Sequence, residues 1–253
     1  MEIGVCTISS KSHSIESVLE ICHDLSVDGV EIWGKDHIPD RSQQTCQAIA
    51  AAGSRWEVTI PVYGSYLRVG GEDFDQKMET ELDVTEWLGA DKIRVWAGNR
   101  EYAECDEMYW NQVVSDLEQL ARAAQQRGLS VTVERHAGTV TDRTEGAKAL
   151  IEAVDSPVIG LNWQPLFEHD PDTIATDATR LAPLTNNVHL QAMSAPDEQK
   201  RCQLSDAYFN VPNVIEIFDD IGYDGFLEIE FVTQSAPYEV ALAADVAYLK
   251  ALL

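Results

Sequence analysis

"VTVERHAGTVTD", residues 131–142, opens as an ordinary buried strand and then sets three ionisable groups in a row. Val131, Thr132 and Val133 have the β-branched character that suits a pleated sheet. Glu134, Arg135 and His136 follow, and Gly138 breaks the run. Side chains alternate across a strand. Val131, Val133 and Arg135 therefore share one face, and Thr132, Glu134 and His136 share the other. A strand that is apolar at its start and ionisable at its end needs something to receive the charges.

The same kind of segment recurs along the chain. Strand candidates are 3–8 (IGVCTI), 29–33 (GVEIW), 56–63 (WEVTIPVY), 92–97 (KIRVWA), 130–136 (SVTVERH), 158–163 (VIGLNW), 187–191 (NVHLQ) and 226–232 (FLEIEFV). Stretches of helical period separate them, at 14–25, 76–89, 109–128 and 211–222, and one at 239–253 closes the chain. Asp142 and Glu145 read as a capping box opening a helix near 143. Gly53, Gly89, Gly128 and Gly222 stand where left-handed C-caps are expected. Eight strands alternating with helices over 253 residues predict one α/β domain spanning 1–253, a (β/α)8 TIM barrel. An open doubly wound sheet is the alternative, but no G-x-G-x-x-G follows the first strand and no Walker loop occurs. The longest irregular stretch is 192–210, and loops of that length are often functional.

Six strands repeat one pattern. Val188 and Leu190 oppose His189 and Gln191. Leu161 and Trp163 oppose Asn162 and Gln164. Leu227, Ile229 and Phe231 oppose Glu228 and Glu230. Ile93 and Val95 oppose Arg94 and Trp96, and Val30 and Ile32 oppose Glu31 and Trp33. The apolar face suits packing under helices. The polar face then points into the barrel, toward the C-terminal mouth where barrel enzymes carry their chemistry. Buried carboxylates need compensation, and a divalent cation supplies it. Glu228 is expected to pair with Arg94. Trp33, Tyr63, Arg94 and Trp96 are candidates to line the pocket, beside Asn162, and His136 is a candidate substrate contact. Glu31 is left open between site and scaffold. His13, His23, His37 and His169 show no ligand spacing and are expected at the surface, with His37 able to approach the mouth.

Composition narrows the partners. Asp and Glu number 43 against 18 Lys and Arg, a net charge of −25. Such a surface repels phosphate backbones and argues against nucleic acid. A well-solvated surface accounts for the acidity, and adaptation to high salt is one reason for it. No run approaches the ~20 apolar residues of a membrane span. The first residues, MEIGVCTI, read as a strand rather than a secretory signal. Five cysteines without C-x-x-C spacing suggest a reduced, cytoplasmic setting and no cysteine metal site. No cluster of Lys and Arg marks a phosphate pocket. Arg68, Arg100 and Arg143 are loose candidates, so an unphosphorylated substrate is expected.

With these segments in place, the chain resembles the xylose-isomerase-like barrels, specifically the sugar phosphate isomerase/epimerase group. The likeness rests on VYGSYLRVG (62–70), IRVWAG (93–98), VERHAGTVTD (133–142), GLNWQP (160–165) and GFLEIEF (225–231), in order along the whole chain. It implies a metal held by Glu134, Gln164, His189 and Glu230. The sixth-strand position, an Asp in the family, is Gln164 here; its amide oxygen can ligate a hard cation but carries no charge. Gln191 and Ala192 stand where the family has Lys-Asp. The implied cofactor is Mn2+ or Mg2+, with Co2+ or Zn2+ as alternatives. The implied activity is a sugar isomerase or epimerase acting through an enediolate, with Glu134 and Glu230 as the acid/base pair. A dehydratase of the inosose-dehydratase kind and a degenerate sugar-binding barrel are the alternatives. The endonuclease branch, with its larger His-rich ligand cluster, is disfavoured. The likeness also implies a small sugar or sugar-like substrate and a homo-oligomer, dimer or tetramer.

Overall fold

A parallel strand leaves unpaired edges and needs a crossover to reach its neighbour, and closing the sheet on itself removes the edges while right-handed crossovers place helices outside. The computed structural model, which describes every residue except 197 and 199, shows this solution. β1 (Glu2–Cys6), β2 (Gly29–Trp33), β3 (Thr59–Val69), β4 (Lys92–Ala97), β5 (Ser130–Glu134), β6 (Ile159–Trp163), β7 (Thr185–Leu190) and β8 (Phe226–Ile229) close a parallel barrel in chain order. The register Val5↔Ile229 between β1 and β8 completes the ring.

The helices are α1 (Ile15–Asp24), α2 (Gly34–His37), α3 (Gln43–Arg55), α4 (Phe74–Leu88), α5 (Glu107–Gln126), α6 (Thr144–Val154), α7 (Pro171–Leu181), α8 (Val211–Asp220) and α9 (Tyr238–Leu252). Local chemistry sets many of their starts. Ser14, Ser42, Asp106, Asp170 and Asn210 each accept a hydrogen bond from the backbone N–H three residues on, worth about 1 kcal/mol apiece. Gly89 ends α4 in the left-handed region, where a side chain would be strained.

Two helix-end expectations are corrected. α6 begins at Thr144 after Arg143, with no side-chain cap. Asp142 instead accepts from the backbone N–H of Tyr102 (3.1 Å), tying down the loop after β4. Gly53 lies inside α3, where an added Cβ would sit 3.0 Å from the Val58 carbonyl oxygen. It permits close helix–strand approach rather than a cap.

The outward strand faces and the helices form the main core. Trp163 packs edge-on against Phe218 of α8. Arg135 is fully buried, donating to Asp177 of α7 (2.5 Å) and to the Gln164 carbonyl oxygen (3.1 Å). Tyr63, expected at the pocket, belongs to this outer layer. It pairs in register with Ile32 and Ile93, and its hydroxyl donates to Glu81 of α4 (2.5 Å). No helix among the described residues is long and apolar enough to cross a membrane.

The stretch 192–210 carries an antiparallel bridge between Met193 and Arg201. The backbone N–H of Leu204 donates to Asp245 of α9 (2.8 Å). Burial pushes the Asp245 carboxyl up to about 6 from an ordinary 3.8, and nearby Asp206 adds to the shift. A carboxyl raised in the folded state contributes stability that is full below the unfolded value and is lost as pH rises through the folded value. Asp245→Asn is therefore expected to stabilise the fold by on the order of 2 kcal/mol at about pH 7.5, and to do little at about pH 4. Thermal melts of the two proteins at both pH values check this; equal shifts at both would contradict it.

Candidate active site

The inward faces bring six ionisable groups together: Glu31 of β2, Arg94 of β4, Glu134 at the end of β5, His189 of β7, Glu228 of β8 and Glu230 just beyond it. All are buried. Two glycines make the convergence sterically possible. A Cβ at Gly64 of β3 would lie 2.5 Å from Glu31 Oε1 and 2.9 Å from Arg94 Nη2. Without it, Arg94 reaches across β3 to Glu31. A Cβ at Gly4 would lie 2.6 Å from Glu228 Cγ.

Arg94 is a bridge. Its Nε donates to Glu31 Oε1 (3.0 Å), Nη2 lies 2.9 Å from the same oxygen, and Nη1 donates to Glu134 Oε2. The expected pairing of Arg94 with Glu228 does not form. Parity placed both side chains inward, but the gap at Gly64 turns the guanidinium toward β2. Glu228 instead accepts from Asn187 Nδ2 (2.6 Å) and lies 3.2 Å from His189 Nε2. His189 Nε2 is also 3.0 Å from Glu31 Oε2. Asn162 accepts from Asn187 (2.9 Å) and so joins the network beneath the ionisable groups.

Opposing forces set the charges. Burial works against ionised Glu31, but Arg94 and His189 outweigh it and hold its carboxyl well below the usual range. Burial pushes the Glu228 and Glu230 carboxyls up. Burial opposes a charge on His189, yet Glu31 and Glu228 drive its imidazole well above the ordinary value. Four carboxylates thus face one guanidinium and one imidazole, an excess of negative charge in a water-poor space.

Several buried atoms of this network have no hydrogen-bond partner among the described residues, Asn162 Nδ2, Asn187 Oδ1 and Glu228 Oε1 among them, and the one that can ligate a metal through a free ring nitrogen is on His189. His189 Nδ1 is buried without a hydrogen-bond partner among the described residues, 3.8 Å from Glu230 Oε1. Glu134, His189 and Glu230 offer ligand atoms that all lie within 4.8 Å of one another. One imidazole nitrogen, freed of its proton when an ion binds, and two carboxylates make a donor set for a divalent cation, and the Nε2 contacts to Glu31 and Glu228 orient the ring as outer partners orient metal-binding histidines. Cys6, Glu31 and His189 are a second such group. There the Arg94 guanidinium already occupies Glu31, and burial keeps the Cys6 thiol protonated.

The remaining expected residues fall at different places. Gln164 joins the cluster, but its Oε1 accepts from Gln191 (2.9 Å), and its Nε2 donates to the Arg135 carbonyl oxygen (2.6 Å) and faces Glu134 Oε1 at 3.5 Å. So placed, it turns its amide nitrogen rather than its oxygen toward the carboxylates, unlike the expected ligand. Trp33 and Trp96 stand at the mouth, linked by Tyr66. Trp33 Nε1 donates to the Tyr66 hydroxyl (2.7 Å), and Tyr66 stacks on Trp96. The His136 ring lies 4.7 Å from Trp96 and lines a hollow of about 180 Å³ with Gln164, Gln191 and Arg201. Of the histidines expected at the surface, His23 is exposed, whereas His13, His37 and His169 are half-buried. His37 Nδ1 meets the Thr7 hydroxyl at 2.9 Å, close to Trp33.

Several mouth residues escaped the sequence. Arg201 comes from the irregular stretch after β7, donates to Gln191 Oε1 and covers the Phe231 ring. Gln191 in turn donates to Glu230 Oε2 (2.5 Å). Parity groups Phe231 with Ile229, but β8 ends at Ile229, and beyond it the ring turns to a cavity at the mouth. No periodicity signals a loop arginine. The identity of Glu230's partner depends on that loop's path.

Comparison with known proteins bears on the fold and the family. The model of the xylose isomerase-like TIM barrel family matches residues 19–252. A 3-dehydroshikimate dehydratase of Bacillus anthracis is 22% identical over 242 residues, covering 90% of this chain and 86% of that protein. Among solved structures, a probable 3-dehydroshikimate dehydratase of petrobactin synthesis from Bacillus anthracis superposes with a TM-score of 0.83 at 19% identity, covering 99% of each chain. A 3-keto-D-glucoside 4-epimerase from E. coli does so with a TM-score of 0.79 at 17% identity, again over 99% of each chain. A D-psicose 3-epimerase gives 0.78 at 15%, over 100% of this chain and 99% of that one. With the family model spanning nearly the whole barrel, this chain belongs to the xylose isomerase-like TIM barrel family.

Proposed function

We propose that the chain is a metal-dependent sugar isomerase or epimerase that moves a proton beside the carbonyl of a small sugar or sugar-like substrate. The observation that carries this reading is the Nδ1 of His189, without a partner among the described residues and 3.8 Å from Glu230, in a group of ligand atoms shared with Glu134 and Glu230. These three residues would hold the ion, with Gln164 beside them. Their hard oxygens and single imidazole suit Mn2+ or Mg2+, with Co2+ or Zn2+ as alternatives. A cation there supplies Lewis acidity toward adjacent carbonyl and hydroxyl oxygens.

The two glutamates are not equivalent. Glu134 accepts from the Arg94 guanidinium through one oxygen and faces the Gln164 amide with the other. Glu230 meets no arginine directly; it accepts from Gln191, and burial raises its carboxyl. A raised carboxyl is the better proton carrier near neutral pH. Glu230 is therefore assigned the proton transfer, with Glu134, held by the Arg94 guanidinium, as its partner. Trp33 and Trp96 would flank the C–H surface of the substrate, with His136 at its edge. Arg94, locked between Glu31 and Glu134, acts on the substrate only through those carboxylates. A cytoplasmic location, supported by five unpaired cysteines, and a dimeric or tetrameric state belong to the same reading.

Dehydration is the second reading. One mobile proton carrier serves elimination of a neighbouring hydroxyl as well as reprotonation, and the dehydratase relative aligns along most of both chains. Incubation with Mn2+ in deuterated water separates the two. Across a panel of ketoses, aldoses and hydroxylated keto acids, an isomerase or epimerase places deuterium on the carbon beside the carbonyl. A dehydratase yields a product lighter by one water. Glu230→Gln is expected to slow either reaction by roughly 100-fold or more. No exchange and no water loss across the panel would leave a sugar-binding barrel instead.

A further inference from the structure

A cavity of about 740 Å³ at the mouth lies between the segments that follow β1, β7 and β8. Among the described residues its lining contains Lys11, Lys200, Arg201, His13 (3.4 Å from Glu239) and five serine or threonine hydroxyls, but no aspartate or glutamate. In a chain with 43 acidic and 18 basic residues, a cavity wall of that composition is out of character. Sequence reading sees no cluster because its cations come from opposite ends of the chain; only closure of β8 onto β1 brings them together.

The cations are also directed. Arg201 lies 3.7 Å above the Phe231 ring centroid, and the Lys11 ammonium stands 5.9 Å from the same centroid and 5.5 Å from that of Trp33. Aromatic faces hold both heads without neutralising them. Neither is ion-paired to a carboxylate among the described residues. Arg201 also borders the hollow beside His136 and Gln164. Through Gln191 it connects to Glu230, so whatever Arg201 grips lies next to the proposed proton carrier.

We propose that this cavity is an anion subsite: it takes a carboxylate or a phosphate monoester carried by the substrate, gripped by Arg201 and Lys11 over Phe231. A planar guanidinium with hydroxyls around it suits either group. The assignment rests on Glu230 marking the reaction centre, and it sets an acidic or phosphorylated substrate beside the expectation of an unphosphorylated one.

The test measures anion binding without turnover. Inorganic phosphate and malonate are titrated calorimetrically into the full-length protein at fixed ionic strength. Wild type, Arg201→Met, Lys11→Met and Glu230→Gln are compared. At least one anion is expected to bind wild type, and each cation variant to weaken it about tenfold. Lys11 is exposed, so its replacement leaves the core intact should Arg201→Met disturb Gln191. Preference for phosphate indicates a phosphate ester, and preference for malonate a carboxylate. Glu230→Gln is expected to retain anion binding while losing proton exchange, which separates this subsite from the catalytic assignment. Binding of neither anion, or unchanged binding in both cation variants, would overturn the proposal.

Discussion

Four buried glutamates around one histidine and one arginine constrain this barrel more than any other feature. Moving an ion out of water costs several kcal/mol even after relaxation. Glu31, Glu134, Glu228 and Glu230 are 6% exposed or less. Arg94 balances Glu31 and Glu134 by direct contact, and His189 sits between Glu31 and Glu228. Among what remains is the His189 Nδ1, with no hydrogen-bond partner among the described residues, beside Glu230. A barrel interior filled only for stability would be aliphatic. Here the outer layer between strands and helices carries the apolar core, which leaves the inner face free for chemistry.

The scaffold accommodates that burden through backbone choices remote from the chemistry. Gly64 and Gly4 remove side chains where Arg94 and Glu228 need space. Arg135, next in sequence to Glu134, points the other way and anchors on Asp177 of α7. Adjacent residues on opposite faces thus fasten the strand end to the helix layer and present a carboxylate to the interior. The stretch after β7 does comparable work from outside, bringing Arg201 over Gln191 and thereby toward Glu230.

Much of this was legible in the sequence where period-2 alternation is strong. The limits of β2 and β4 match the runs GVEIW and KIRVWA. The inward placement of Glu134, His189 and Glu230 follows from parity alone. Partners were less legible than faces. Arg94 was assigned inward, but its choice of Glu31 and Glu134 over Glu228 depends on the missing side chain at Gly64. One aromatic in an apolar strand gives no sign of its face, so Tyr63 reads as a pocket residue; its hydroxyl finds Glu81 only because α4 packs on β3. The Asp142–Glu145 pattern matched a capping box, yet Asp142 is drawn to the Tyr102 amide. Arg201 and Lys11 share a cavity only because the ring closes, a relation no local pattern encodes.

The central claim is that the unsatisfied face of this cluster is a divalent-cation site. Anomalous diffraction at the manganese edge from crystals grown with Mn2+ tests it most directly. The account expects one peak within about 2.5 Å of His189 Nδ1 and of carboxylate oxygens from both Glu134 and Glu230. No peak at saturating Mn2+, or a peak held instead by Cys6 and Glu31, would contradict it.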